Sequence, residues 1–565
     1  MNARIQDIYP LAPGQGGILF HAIGGGSPGD YVIQIRIDLH GDLDPERERA
    51  AWLALTERHD ALRTAFVWKG QAKPLQVVGR QAVPNVEVTD LRSFSESEQM
   101  AYLTNWMQQD RDAGFDLTRA PLLRVNRFRL GEDHHRLVVT FHHIILDGWS
   151  IPVMLREWVA LLSGQTLPPA LPFKDYIAWC HAQDGNAAKA FWRSELKDSP
   201  APSVAALPAP EAPPASRRGD LTLNLSAAQV QPLLAAARNC GVTLANVVQG
   251  AWALFLARST DVQDVAYGLA RAGRPAALKG SETRVGMFLT TLPMRARLTP
   301  DQPLAGWLMA LQNSQIAQSP HEHLPLSDIL ATSGQRGAAL MQTAVVFENY
   351  PTDPALLGQI PDLRIKAVDV LEQTGMALTL YAMQRDGLDL RLLFDAGAIS
   401  VGAARQALDD VTEILTIFAT HPETPLRDIT IRSRAHVQAE TPVLDHAPTG
   451  AALPALVKIW QDVLEIAPPS ADQNFFDLGG HSLLVISLQD RIRRDLGLEV
   501  EIPDLFRFAT LGAQSNHLAR MLQGAASSDS IQTRAEAAGK ARATGAGRLR
   551  LRRTQSMNND RTEDA

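Results

Sequence analysis

Phe141-His142-His143-Ile144-Ile145-Leu146-Asp147-Gly148-Trp149-Ser150 lies between two stretches of different pattern. Before it, Arg136-Leu137-Val138-Val139-Thr140 is apolar and β-branched, which predicts a buried strand. After it, Ser150 to Leu162 carries apolar residues at helical spacing, with Ser150 expected as the N-cap and Pro152 in the first turn. Two histidines therefore fall where a strand ends and a loop begins. An aspartate and a glycine follow before the next helix. Such a place is rigid on one side and open on the other, and suits a reactive side chain.

The chemistry suggested is proton handling. Imidazole changes charge near neutrality, so it can accept a proton from a nucleophile or hold that nucleophile by a hydrogen bond. Adjacent strand residues face opposite sides, so only one histidine can serve a given site. His143 is expected to be the functional one and His142 its supporting neighbour. Asp147 has two open readings: it orients the imidazole, or it braces the loop through a buried arginine. Gly148 is expected to permit a tight turn. A histidine pair at a strand end can also merely cap a core, but the strand–loop–helix setting favours a site.

The string resembles the HHxxxDG signature of condensation domains from nonribosomal peptide synthetases, a family sharing its fold with chloramphenicol acetyltransferase. The resemblance implies an α/β, two-lobed domain of that fold. It also implies a catalytic group of His143, Asp147, His142 and Gly148, supported by Trp149. Arg274 is the first choice to pair with Asp147, and Arg63 is the alternative.

Composition sets the bounds. The 565 residues are 45% apolar and 20% charged, an ordinary globular balance with length for roughly three or four compact units. A net charge of −7 argues against a general nucleic-acid binder. Cys180 and Cys240 suggest neither a disulfide framework nor a metal site. No apolar run has bilayer-spanning length, and Met1 to Gln15 lacks a signal-peptide pattern, so a cytoplasmic protein without membrane contact is expected.

Further strings along the chain are similar to motifs of the same family. Tyr9 to His21 resembles the first core motif, in a variant commoner among domains that take D-configured donors or also epimerise. The following residues match that pattern only in part, so stereochemistry stays open. No separate N-terminal docking segment is expected ahead of this motif. Arg58-His59-Asp60-Ala61-Leu62-Arg63-Thr64 resembles the second motif and is read as buried ion pairing that holds the first lobe together. Asp175 to Trp179 resembles the fourth motif, with its aromatics read as core. Pro200 to Pro214 reads as a linker between lobes, giving lobes at 1–200 and 201–434. Ala272-Gly273-Arg274-Pro275 is similar to a family SGRP string. Val285 to Arg295 resembles the fifth motif, with Thr290 where an asparagine is usual. Thr290 is thus a candidate contact to a pantetheine arm or acceptor. His321-Glu322-His323 has a spacing seen in metal sites but lacks a nearby third ligand, so no metal is expected. Val345 to Pro351 resembles the FENYP strand end, which favours condensation over pure epimerisation.

Beyond Arg434 the pattern changes. Residues 435–451 read as a polar linker, and 452–523 as a small four-helix carrier domain. Phe475-Phe476-Asp477-Leu478-Gly479-Gly480-His481-Ser482 resembles the carrier signature FFxLGGxS. By that resemblance Ser482 carries a covalent 4′-phosphopantetheine; a helix start also favours a phosphate. Residues 524–565 read as a tail of low apolar content. Its basic stretch Lys540 to Arg553 is either simply solvated or docks a downstream synthetase or release enzyme.

The implied function is acyl transfer: an upstream carrier presents a donor thioester, and the amine of an acceptor on the Ser482 arm attacks it. An adenylation enzyme in trans loads the acceptor, after a phosphopantetheinyl transferase installs the arm. The remaining length is expected to hold neither an adenylation domain nor a thioesterase. Alternatives are an ester-forming variant, a free-standing acyltransferase with a soluble acceptor, and a non-catalytic recruitment platform.

Overall fold

The computed structural model describes residues 4–23, 29–71, 73–199, 207–211, 214, 218–333, 342–348, 360, 362–371, 376–432, 453–464, 466–475, 478, 482–500, 504–505 and 508–521. Two compact units divide at Thr441/Pro442, except that residues 481–483 group with the first. The linker at 435–451, the tail at 524–565 and most of 200–217 lie outside the described residues.

The first unit begins with β1 (Ile5–Pro10), α1 (Gln15–Ile23), β2 (Val32–Gly41), α2 (Pro45–Arg58), β3 (Thr64–Val67), β4 (Leu75–Gly79) and β5 (Asn85–Asp90). Next come α3 (Glu96–Ala113), β6 (Leu123–Arg129), β7 (His134–His142), α4 (Ser150–Leu162), α5 (Lys174–His181) and α6 (Gly185–Glu195). Its later part holds β8 (Arg218–Leu225), α7 (Ala227–Asn239), α8 (Leu244–Thr260), β9 (Asp264–Arg271), β10 (Thr290–Arg297), α9 (Leu304–Gln318) and α10 (Leu326–Ser333). The last elements are β11 (Thr343–Glu348), β12 (Leu363–Leu371), β13 (Leu378–Gln384), β14 (Leu388–Asp395) and α11 (Val401–Thr420).

β7 is the middle strand of a five-stranded sheet ordered β12-β2-β7-β6-β5. It reads as a continuous apolar run because both faces of that sheet are covered. Leu137, Val139 and Phe141 join the core beneath α2 and α4, where Trp52 and Trp158 stack at 5.3 Å. Val138 faces the other way, against Leu103 and Met107 of α3 and Phe128 of β6. α3 is held at its start by a reciprocal Ser95–Glu98 capping box.

A second sheet, β10-β9-β11-β13-β14-β8, is backed by α7, α8, α9 and α11 around Trp252, Phe255, Leu390, Leu408 and Phe418. A short third sheet, β1-β4-β3, flanks the first.

The expected cut at 200/201 does not divide the lobes cleanly. β12 lies far beyond that cut, yet it pairs antiparallel with β2 as the edge of the first sheet, with Leu371 opposite Gln34. Val285 and Met287 likewise pack into the first lobe's core. A sequence boundary cannot show a strand that returns to complete another lobe's sheet.

Among the described residues, no single helix is long and apolar enough to cross a membrane; α7 and α8 pass that test only as a bent pair.

In the second unit, α12 (Leu453–Leu464), α13 (Ser482–Leu496) from Leu484 onward and helical residues 511–521 surround Trp460, Phe475, Leu488 and Leu518. The Trp460 indole N–H donates to Gln514 Oε1 at 3.0 Å. Phe475 packs edge-on to the Trp460 ring at 5.1 Å.

Candidate functional site

The pleat of β7 separates the two histidines. His142 is 3% exposed and sits edge-on to Phe115. Its Nδ1 accepts the Ile144 N–H at 3.2 Å, which places its proton on Nε2. Burial, with a smaller contribution from neighbouring His143, pushes its pKa down to about 3, so it is neutral at physiological pH.

His143 is half-buried. Its Nδ1 lies 2.7 Å from the Leu146 carbonyl, and a carbonyl can only accept, so Nδ1 carries the proton. Nε2 is left with a lone pair and no partner among the described residues. The His143 N–H donates to the Tyr31 carbonyl at 2.7 Å. Tyr31 has φ of +60°, an uncommon conformation for a non-glycine residue, held here in a buried position.

Of the two readings of Asp147, the structure selects the brace. Its carboxylate is 2% exposed and accepts from Arg274 Nη2 at 2.9 and 3.1 Å, from the Ser150 N–H at 2.8 Å and from the Phe288 N–H at 3.1 Å. Orientation of His143 falls to the Leu146 carbonyl instead. Arg274 also donates to the carbonyls of Ser281 and Arg284 and stacks over the Phe288 ring at 4.2 Å.

Arg63 is a correction. It is committed elsewhere, to Asp60 at 3.0 Å, Gln6 at 2.7 Å and the Gly79 carbonyl. Arg58 and His59 converge on Glu157 of α4 at 2.7 and 2.6 Å. The second motif is thus an ion-paired joint between α2 and α4.

Ser150 is the first residue of α4 rather than its N-cap; Trp149 takes that position. The Ser150 hydroxyl is drawn into the knot instead. It lies 2.6 Å from Asp147 Oδ1 and 2.8 Å from the Gly286 carbonyl, and accepts the Gly286 N–H at 3.1 Å. The Trp149 indole N–H donates to the Glu282 carbonyl at 3.0 Å. Residues 147–150 are therefore stitched to 282–288, from the far part of the chain.

Gly148 is not among the positive-φ glycines, so its turn does not depend on the left-handed region. Its N–H has no acceptor among the described residues, while those from His142 to Asp147 are all taken.

Thr290 opens β10 opposite Arg271 and is 1% exposed. Its hydroxyl has no partner among the described residues. Gly14 packs so closely here that a Cβ would collide with the Leu289 carbonyl.

His321 and His323 do not share a ligand position. His321 stacks on Phe191 at 4.3 Å, His323 donates to the Pro320 carbonyl at 3.1 Å, and Glu322 pairs with Arg271. Tyr176 of the fourth motif packs on Phe173 and Phe288 as core.

α13 starts at Ser482, and its first turn carries no acidic residue. A helix start leaves backbone N–H groups unsatisfied, and these favour a phosphodiester on a residue there. This donor set fits a covalently attached phosphopantetheine. Gly479, Gly480 and His481 lie outside the described residues.

Sequence reasoning missed three contributors: Gln15, the Ser150 hydroxyl as a knot atom, and the Gly286 backbone. Gln15 is 1% exposed and donates to the Ile144 carbonyl at 2.8 Å. A polar residue among the glycines and aliphatics of the first motif was the available signal. A backbone carbonyl such as that of Gly286 leaves none.

Residues 5–439 match the family described as "Condensation domain", and residues 454–518 match "Phosphopantetheine attachment site". A linear gramicidin synthase of Brevibacillus parabrevis is 35% identical over 451 residues, covering 77% of this chain and 6% of that protein. The chain thus spans less than a tenth of the length of the first curated relatives it matches, two further ones being covered to 8% and 9%. Two solved structures share the fold. The condensation domain of the monacolin K polyketide synthase MokA has a TM-score of 0.63 at 21% identity, over 75% of this chain and 100% of that one. The four-domain nonribosomal peptide synthetase holo-AB3403 has a TM-score of 0.66 at 18% identity, over 87% of this chain and 39% of that one.

Proposed function

Because the chain belongs to the condensation-domain family and carries a phosphopantetheine attachment domain, we propose that it forms an amide bond between two carrier-bound acyl groups. The observation that carries this reading is the tautomer of His143: Nδ1–H is spent on Leu146, and Nε2 is an acceptor with no partner among the described residues.

Ser482 is the attachment point; the bound group supplies a thiol that holds the acceptor as a thioester. His143 Nε2 accepts an N–H of the acceptor amine and aims its lone pair at the donor carbonyl. An amine that is already neutral needs placement more than a strong base, and placement alone can supply much of the rate. As the C–N bond forms, negative charge grows on the donor carbonyl oxygen. The Gly148 N–H, uncommitted among the described residues, is the donor the loop offers for it. The C–S bond then breaks, the donor thiolate takes up the proton released by the amine, and the lengthened product remains on Ser482. The buried Thr290 hydroxyl is assigned to the acceptor or its arm, since nothing else described satisfies it.

Partners follow from this chemistry. A phosphopantetheinyl transferase modifies Ser482, an adenylation enzyme loads it, and an upstream carrier delivers the donor in trans. A non-catalytic platform has no use for an imidazole whose tautomer is fixed in this way.

The test is intact-protein mass after incubation with CoA and a promiscuous phosphopantetheinyl transferase. Wild type and His143→Ala should both gain the pantetheine mass, and Ser482→Ala should not. With alanyl-pantetheine then loaded on Ser482 and a panel of aminoacyl N-acetylcysteamine thioesters as donors, wild type should accumulate dipeptidyl mass and His143→Ala should not. Equal product from both proteins would remove His143 from the reaction.

A further inference from the structure

The loop that presents His143 is held from a third direction. Gln15 is the first residue of α1, and its carboxamide is fully used. Oε1 accepts the Ala12 N–H at 2.7 Å, while Nε2 donates to the Ile144 carbonyl at 2.8 Å and to Gln76 Oε1 at 3.1 Å. Gln76 in turn donates to the Pro10 carbonyl at 3.0 Å. A buried relay therefore runs from the β1–α1 connection to the peptide immediately after His143.

That peptide is otherwise weakly held. Its N–H, that of Ile145, donates to the His142 carbonyl in a tight turn, and among the described residues its carbonyl accepts only from Gln15. Rotation of the 144–145 peptide would swing the Leu146 carbonyl, and with it the tautomer and aim of the imidazole.

From this geometry we infer that Gln15 is a positioning residue for His143, acting through the Ile144 carbonyl. The inference rests on the proposed role of His143. Gln15 is buried and touches no reacting atom; its task is to keep the loop in the one arrangement that leaves Nε2 free.

The near-isosteric Gln15→Glu tests this through pH. Its ionised carboxylate would face the Ile144 carbonyl and Gln76 Oε1 without a donor. A flip of the Gln76 amide can relieve the second contact but not the first. Protonation restores an O–H that can donate to Ile144, and burial beside two oxygens shifts that protonation upward. Gln15→Met fills the space with no donor at any pH.

The probe is alanyl-pantetheine on Ser482 of the full chain, with the donor thioester that wild type uses best. At pH 8 Gln15→Glu should turn over roughly tenfold more slowly than wild type, the scale expected for one lost buried hydrogen bond. Its rate relative to wild type should rise as pH falls, with little change in KM for the donor. The Gln15→Met ratio should stay low and flat. A Gln15→Glu ratio that does not vary with pH overturns the inference, as does a ratio that merely follows the folded fraction measured by thermal melting at each pH. His143→Ala, run beside them, separates the two readings: if it remains active, the role of His143 fails. If it is inactive while both Gln15 variants match wild type, only the role of Gln15 fails.

Discussion

At the scale of single residues, His142 and His143 show how one backbone step divides two identical side chains. Alternation along β7 sends His142 into the wall beside Phe115 and leaves His143 half-buried. With its pKa near 3, His142 contributes no titration to catalysis between pH 5 and 9. Its service is the Nδ1 lone pair that accepts the Ile144 N–H. Asparagine can supply an acceptor near the same position and alanine cannot. His142→Asn should therefore keep more activity than His142→Ala, and both should keep the wild-type shape of the pH–rate profile. Loss of an acidic or basic limb in His142→Asn would instead make His142 a proton-transfer group.

At the scale of elements, the Asp147–Arg274 knot joins the β7–α4 loop to the segment before β10. Both side chains are buried, so removing the cation alone strands a carboxylate. Arg274→Ala should cost about 3–5 kcal/mol in denaturant unfolding, and adding Asp147→Asn should recover part of that. Equal losses in single and double variants would show that the stranded charge is not the source. A second buried pair, Glu48 of α2 with Arg127 of β6 at 3.1 Å, has a different consequence. Burial raises the Glu48 carboxyl from its ordinary 4.5 to about 7, against the opposing pull of Arg127. The folded state therefore holds this proton more tightly than the unfolded one. Its stabilising effect is complete below about pH 4.5, falls as pH rises through 7, and is on the order of 3 kcal/mol at most. Unfolding of Glu48→Gln between pH 4.5 and 8 should lack that decline; parallel curves would mean that Glu48 is ionised throughout. These elements also show what the sequence could convey. The strand–loop–helix around His143 was legible because apolar period and β-branching act locally. Arg274 could be named as the partner of Asp147 through the family string that contains it. The return of β12 to pair with β2 was not legible, because pairing across more than 300 residues leaves no local trace. The capping of α4 was misjudged for a related reason: Ser150 has the right chemistry for an N-cap, but a distant backbone, that of Gly286, claims its hydroxyl.

At the scale of the whole chain, the proposed reaction takes one group from each family region, His143 within residues 5–439 and Ser482 within residues 454–518. If each unit is competent alone, the two roles can be supplied by different molecules. A mixture of His143→Ala and Ser482→Ala should then form product on the Ser482 of the His143→Ala chains, where the carrier is intact and the donated imidazole comes from the other protein. Covalent linkage in one chain can present a partner at an effective concentration of about the millimolar range. Product formation in the mixture should therefore rise with the concentration of the Ser482→Ala protein and stay well below the wild-type rate at micromolar levels. A mixture that matches wild type at micromolar concentration would mean that the acceptor reaches its catalytic unit as readily from another chain as from its own. A mixture that stays inactive at the highest soluble concentration, with both proteins folded, would mean that His143 serves only the carrier to which it is joined.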